Sequence, residues 1–194
     1  MKGHAMKTAL LCIDFINDVI AEGGKLAGKG YASFAGRHKT CDHLRDLQTR
    51  ARGEGIPVIH LGLGFDVGYL GFPETSPLLG GAAAAHALAL GSWGTEFVAG
   101  VGPVGHDIAL RKPRISALHG TRLQSILTGS QTERVLLAGV ATDITVLSTA
   151  LSAHDLDFRV VVVSDACAAA NDQDHENALV ILRKIASVVS VEDV

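Results

Sequence analysis

The chain has 194 residues, enough for one domain with a sizeable buried core. Apolar residues make up 47% and charged residues 19%, which excludes a disordered chain. The net charge is -3 and Lys and Arg are scattered, so neither nucleic acid nor a membrane surface is expected as a partner.

In chain order, residues 1–5 ("MKGHA") are expected to be a leader without a fold role, ahead of a single domain over 6–194. "TALLCI" (8–13) reads as a buried strand. It is too short for a signal sequence or a membrane span, and Asp14 follows it at once. A helical segment is expected over 34–55, with apolar or small residues at Ala35, Cys41, Leu44, Leu47 and Ala51 and a stop at Gly53 to Gly55. Further buried strands are predicted at 57–62, 106–110, 134–139, 159–164 and 186–191. Helices are predicted at 120–130, 142–157 and 172–186, the last acidic at its start and basic at its end. Several strands are continuously apolar rather than alternating, the pattern of strands covered on both faces. The expected fold is a three-layer α/β/α domain around a mainly parallel six-stranded sheet.

Residues 63–105 break this alternation. They carry Phe65, Tyr69, Phe72, Trp93 and Phe97, five of the nine aromatic residues, among many glycines. A long aromatic-bearing insertion reads as a binding loop, or as a surface excursion with its own apolar cluster. The three cysteines, Cys12, Cys41 and Cys167, form neither a disulfide framework nor a zinc motif, and a reducing cytoplasm is the expected location.

In an open parallel sheet, ligands bind beyond the carboxyl ends of the strands. Asp14 ends the first strand, Lys112 follows the third, and 139–145 follow the fourth. A carboxylate directly after an apolar strand is desolvated unless paired; its bland role is to cap the next turn through the amides of Asn17 or Asp18. Lys112 is fixed by Pro113, although a Lys at such a place is usually solvated. Thr142 to Thr145 start a helix, where backbone N–H groups favour an anion or a developing oxyanion.

Three ordered segments carry a family likeness: "ALLCIDFINDVI", "LRKPRISALHGTRLQSIL" and "LLAGVATDITVLSTALSAHDLDFRVVVVSDACAA". With them the chain resembles the isochorismatase-like hydrolases, also called the cysteine hydrolase superfamily, over nearly its whole length. The resemblance implies a Rossmann-like sheet, Asp14 as acid/base, Lys112 as second member of a triad, a cis peptide between Val140 and Ala141, and a homo-oligomer. It also implies a nucleophilic Cys at position 145, where this chain has Thr145. The family's Gln two residues after the Asp is replaced by Ile16. The nicotinamidase branch holds a metal with an Asp and histidines after the second strand. Here His60 and Asp66 stand without a second nearby His, so His60 is read as a buried or hydrogen-bonded histidine, and neither metal nor cofactor is expected.

The leading functional expectation is hydrolysis of a small molecule without a thiol, through Asp14 and water, with a vinyl ether of the isochorismate type as the candidate bond. Trp93 and Phe65 are expected to wall the substrate site, Arg111 and Arg114 to hold a carboxylate, and Val140, Ala141 and Thr142 to cradle the reacting group. Two alternatives stand beside it: a lapsed member that binds a small molecule or partner protein, and a covalent C–N hydrolase using Thr145.

Overall fold

The computed structural model describes residues 6–194; the five expected leader residues lie outside the described residues. Six parallel strands form one sheet in the order β3-β2-β1-β4-β5-β6. They are β1 (Thr8–Ile13), β2 (Val58–Leu63), β3 (Ile108–Lys112), β4 (Arg134–Val140), β5 (Arg159–Ala168) and β6 (Ser187–Val189). All six predicted strands are present. β5 runs four residues further than its apolar run suggested, past a register irregularity between Leu137 and Gly139 of β4.

Every residue of β1 and β2 is buried, His60 of β2 included, as in a strand covered on both faces. Alternate residues of β1 serve different layers. Leu10 and Cys12 pack with Leu44 and Leu47 of α3 (Thr40–Gly53). Leu11 and Ile13 pack with Leu123 and Leu127 of α4 (Leu123–Gly129) and Ala150 of α5 (Leu147–His154). The period-2 geometry of the strand thus builds both cores at once. α6 (Asp172–Leu182) begins at Asn171, whose side chain accepts from the Asp174 amide, an N-cap of the usual kind.

Two helical expectations are corrected. The segment 34–55 is two helices, α2 (Tyr31–Arg37) and α3, broken at His38 and Lys39. Lys39 takes a left-handed φ of 51°, and the break lets His38 stack on Phe34 and pair with Asp172. The helix expected over 142–157 opens as a wider π turn at Thr142–Val146 before α5. A four-residue helix, α1 (Asn17–Ile20), follows Asp14, and the insertion after β2 folds mainly as turns.

The strand order reverses between β1 and β4, so the crevice of this sheet lies beyond their carboxyl ends. Asp14 and the Val140–Ala141 bond sit there, directly after these two strands.

Candidate active site

Asp14 follows β1 in a left-handed conformation with φ of 59°, uncommon for a residue with a side chain and a mark of local strain. Its amide donates to the Leu61 carbonyl at 2.7 Å, tying the turn to the end of β2. The carboxylate is buried. Oδ1 accepts from the Leu63 amide at 2.7 Å, and Oδ2 faces the Lys112 ammonium at 2.7 Å and accepts from the Thr145 hydroxyl at 3.3 Å. The expected capping of α1 through the Asn17 or Asp18 amides is not made; the β2 end takes that carboxylate instead. Burial pushes the Asp14 carboxyl above its usual range, against the Lys112 charge, the hydrogen bonds from Lys112 and the Leu63 amide, and the Thr145 hydroxyl.

Lys112 is the last residue of β3 and is itself buried. Its ammonium also donates to the carbonyls of Arg114 at 3.1 Å and Ile115 at 2.9 Å, so three acceptors hold it on Asp14. Thr145 lies in the π turn, and the peptide between Val140 and Ala141 is cis, as the resemblance implied. Gly139 is required at the turn: a Cβ there would meet Val146 Cγ2 at 2.9 Å and the Ile13 carbonyl oxygen at 3.1 Å.

Asp14, Val140, Ala141 and Thr145 line one small cavity of about 50 Å³. Its other walls are mostly apolar, with Leu63, Leu79 and Ile144 among them, and Lys29 and Tyr31 add a cation and a phenol. Burial first, then the charges of Asp143 and Asp174, push the Tyr31 hydroxyl up, so it stays a protonated donor. Neither Lys29 nor Tyr31 stood out in the sequence. They come to the cavity through Gly30, whose φ of 106° and approach to the Ala170 carbonyl, 2.2 Å from a would-be Cβ, bring the chain against the end of β5, a placement the sequence does not mark.

The other expected contacts are placed elsewhere. Phe65 is buried in a cluster with Tyr69 and Phe72, with ring centroids 5.6 to 6.1 Å apart, because the insertion satisfies its own aromatic residues. Trp93 is 51% exposed, and its carbonyl accepts from the Asn17 side chain. Thr142 is fully buried with its hydroxyl 2.9 Å from His175 Nδ1, while the amides of Ile144 and Val146 turn back to the Ala141 carbonyl. Arg111 lies over the Phe97 ring at 4.8 Å, in the wall of a different cavity. Arg114 reaches the carbonyls of Pro113 and Gly71 and lines a neighbouring cavity.

The three thiols are free, and none lines the Asp14 cavity. Burial pushes the Cys12 and Cys167 thiols up to about 12, which keeps them protonated and unreactive. His60 is buried with Nε2 3.2 Å from the Asp107 carboxylate, while Asp66 is exposed on the insertion. The metal donors implied by the nicotinamidase branch therefore do not fit here: the one histidine is committed to Asp107, and no second histidine stands beside Asp66.

Comparison with known proteins agrees with this arrangement of strands and turns. The Isochorismatase domain model matches residues 8–193. The chain belongs to the isochorismatase family. It is 31% identical to the isochorismatase family protein YecD of Escherichia coli O157:H7, over 98% of this chain and 96% of that protein. An isochorismatase family protein from Desulfovibrio vulgaris superposes with a TM-score of 0.85 at 26% identity, covering 97% of this chain and 96% of the other. The nicotinamidase/pyrazinamidase PncA of Bacillus subtilis superposes with a TM-score of 0.81 at 30% identity, covering 95% of this chain and all of the other. The chain is thus an isochorismatase-family hydrolase. No described helix is long and apolar enough to cross a membrane.

Proposed function

We propose that this hydrolase cleaves a small molecule without a covalent thiol step, Asp14 moving the proton and water supplying the nucleophile. The observation that carries the reading is the buried Asp14 carboxyl in the cavity wall, raised above its usual range, with no thiol lining that cavity. A raised carboxyl keeps a protonated fraction nearer neutral pH, which suits a general acid.

A vinyl ether is the bond this acid serves best. Asp14 gives its proton to the terminal alkene carbon, whose π electrons form the new C–H bond and leave an oxocarbenium ion. Water adds to the oxygen-bearing carbon of that ion and returns a proton to the Asp14 carboxylate. The resulting hemiketal breaks its C–O bond to an alcohol and a ketone. Lys112, held 2.7 Å away, stabilises Asp14 while it is ionised. The apolar walls shield the cation from bulk water.

A second reading has its own observation: the Thr145 hydroxyl donates to Asp14 Oδ2 at 3.3 Å, the arrangement of a hydroxyl nucleophile beside a base. Lys112 holds the same oxygen more closely, at 2.7 Å, which weakens that base. Assays with isochorismate, simple vinyl ethers and amides such as nicotinamide separate the readings. Turnover of a vinyl ether that survives Thr145→Ala and is abolished by Asp14→Asn supports the first. An acyl adduct on Thr145 in mass spectrometry supports the second. No turnover of any substrate, with Asp14→Asn altering stability alone, leaves a binding protein and sinks both.

A further inference from the structure

The Asp14 cavity, about 50 Å³, is large enough for water but too small for a substrate, since small-molecule sites run to roughly 300–1,000 Å³. A second cavity of about 380 Å³ adjoins it, and Leu79, itself buried, lines both. The elements that build the first cavity continue into the second. Thr145 lines the first and Ser148, three residues on and so on the same helical face, lines the second. The Arg114 and Ile115 carbonyls that grip Lys112 belong to residues in the wall of the second.

The chemistry of that wall is one-sided. It contains Arg114, His119 and the serines Ser76, Ser116, Ser148 and Ser152, and neither an Asp nor a Glu. The Arg114 guanidinium donates only to the carbonyls of Pro113, at 2.7 Å, and Gly71, at 3.0 Å, and makes no ion pair among the described residues. Those two bonds leave donors on its planar fork and its full charge uncompensated, the setting that a carboxylate completes. Among the described residues, the Ser148 hydroxyl and the His119 ring also make no hydrogen bond.

We propose that the second cavity is the anion subsite of the same active site, taking a carboxylate borne on the part of the substrate remote from the reacting bond. The reacting bond lies against Asp14, the chain of the substrate passes Leu79, and the carboxylate pairs with Arg114, flanked by Ser148 and His119. The direction of the substrate, though not the anion subsite itself, rests on the reading of Asp14 as the proton donor.

Benzoate and its neutral isostere benzamide are the probes, titrated by calorimetry into the full chain. Benzoate is expected to bind saturably, benzamide about tenfold or more weakly, and Arg114→Gln to lose about tenfold in benzoate affinity with Arg114→Lys recovering part of it. Equal affinity for the two probes, unchanged binding in Arg114→Gln, or no saturable benzoate binding at millimolar concentration overturns the subsite. Because benzoate and benzamide are compared on the unmodified chain, a folding defect in Arg114→Gln leaves the test intact. Loss of the hydrolytic reading would show separately, as turnover unaffected by Asp14→Asn while benzoate binding persists.

Discussion

Replacing Lys112 by Met tests whether charge pairing, rather than packing, holds the centre of the site. Met preserves most of the volume of the lysine stem and costs little in packing, about 1.5 kcal/mol or less. What is lost is the cation 2.7 Å from Asp14 Oδ2, between side chains that are 0% and 4% exposed. The carbonyls of Arg114 and Ile115 lose their shared donor as well. Breaking one partner out of a buried pair costs about 3–5 kcal/mol, the loss expected at pH 7.5. The pH dependence distinguishes the cause. Asp14 is already raised above its unfolded value by burial, and without Lys112 it rises further. A carboxyl raised in the folded state disfavours folding as pH climbs past its unfolded value, so the penalty is absent in strong acid and grows toward neutrality. Moving from roughly pH 7.5 to pH 5 therefore restores part of the deficit, because the stranded carboxyl takes up a proton. Urea unfolding followed by circular dichroism at both pH values measures it. A deficit of the same size at both would show that the lost hydrogen bonds or packing, not the stranded carboxylate, dominate, and the electrostatic account would fail.

Three further outcomes follow from the same geometry. Gly139→Ala should cost about 1–3 kcal/mol in urea unfolding, because the new methyl meets Val146 Cγ2 at 2.9 Å and the Ile13 backbone; an unchanged midpoint would mean that the turn yields freely. Burial holds the His60 imidazole below its usual range despite its bond to Asp107, so it contributes stability above its unfolded value, near pH 6.5, that is lost as pH falls. The stability difference between about pH 7 and pH 5 should therefore shrink in His60→Gln, and a variant as acid-sensitive as the wild type would refute this. Leu79→Ala should merge the two cavities and raise turnover of a bulky carboxylated substrate relative to a small one; an unaltered ratio would argue against Leu79 as the partition.

The sheet was legible in the sequence because its strands are buried on both faces, and continuous apolar runs such as "TALLCI" and "RVLLAG" have few other homes in a domain of this size. Asp14 was legible for a related reason: a charged residue directly after such a run is desolvated unless paired, and the structure places on its carboxylate Lys112 and Thr145, the two positions the family likeness had pointed to. The break at Lys39 was not legible. Helical periodicity continues through "GRHKTCDHL", and the left-handed residue answers to tertiary contacts, the stacking of His38 on Phe34 and its pairing with Asp172.

The cavity lining was the least legible part, and the reason is general. Aromatic residues in a long insertion have two ways to leave water: against a ligand, or against one another. Composition does not distinguish these, because both remove the same apolar area. In this chain Phe65, Tyr69 and Phe72 take the second route, and the Asp14 cavity is walled instead by aliphatic residues such as Leu63, Leu79 and Ile144. The backbone sets the contribution from the other side. Gly30 admits no Cβ against the Ala170 carbonyl, so the chain must pass there, and Tyr31 follows it into the cavity wall. A glycine held by close approach constrains where its neighbours lie, whereas an aromatic residue in a loop states only that it will be covered.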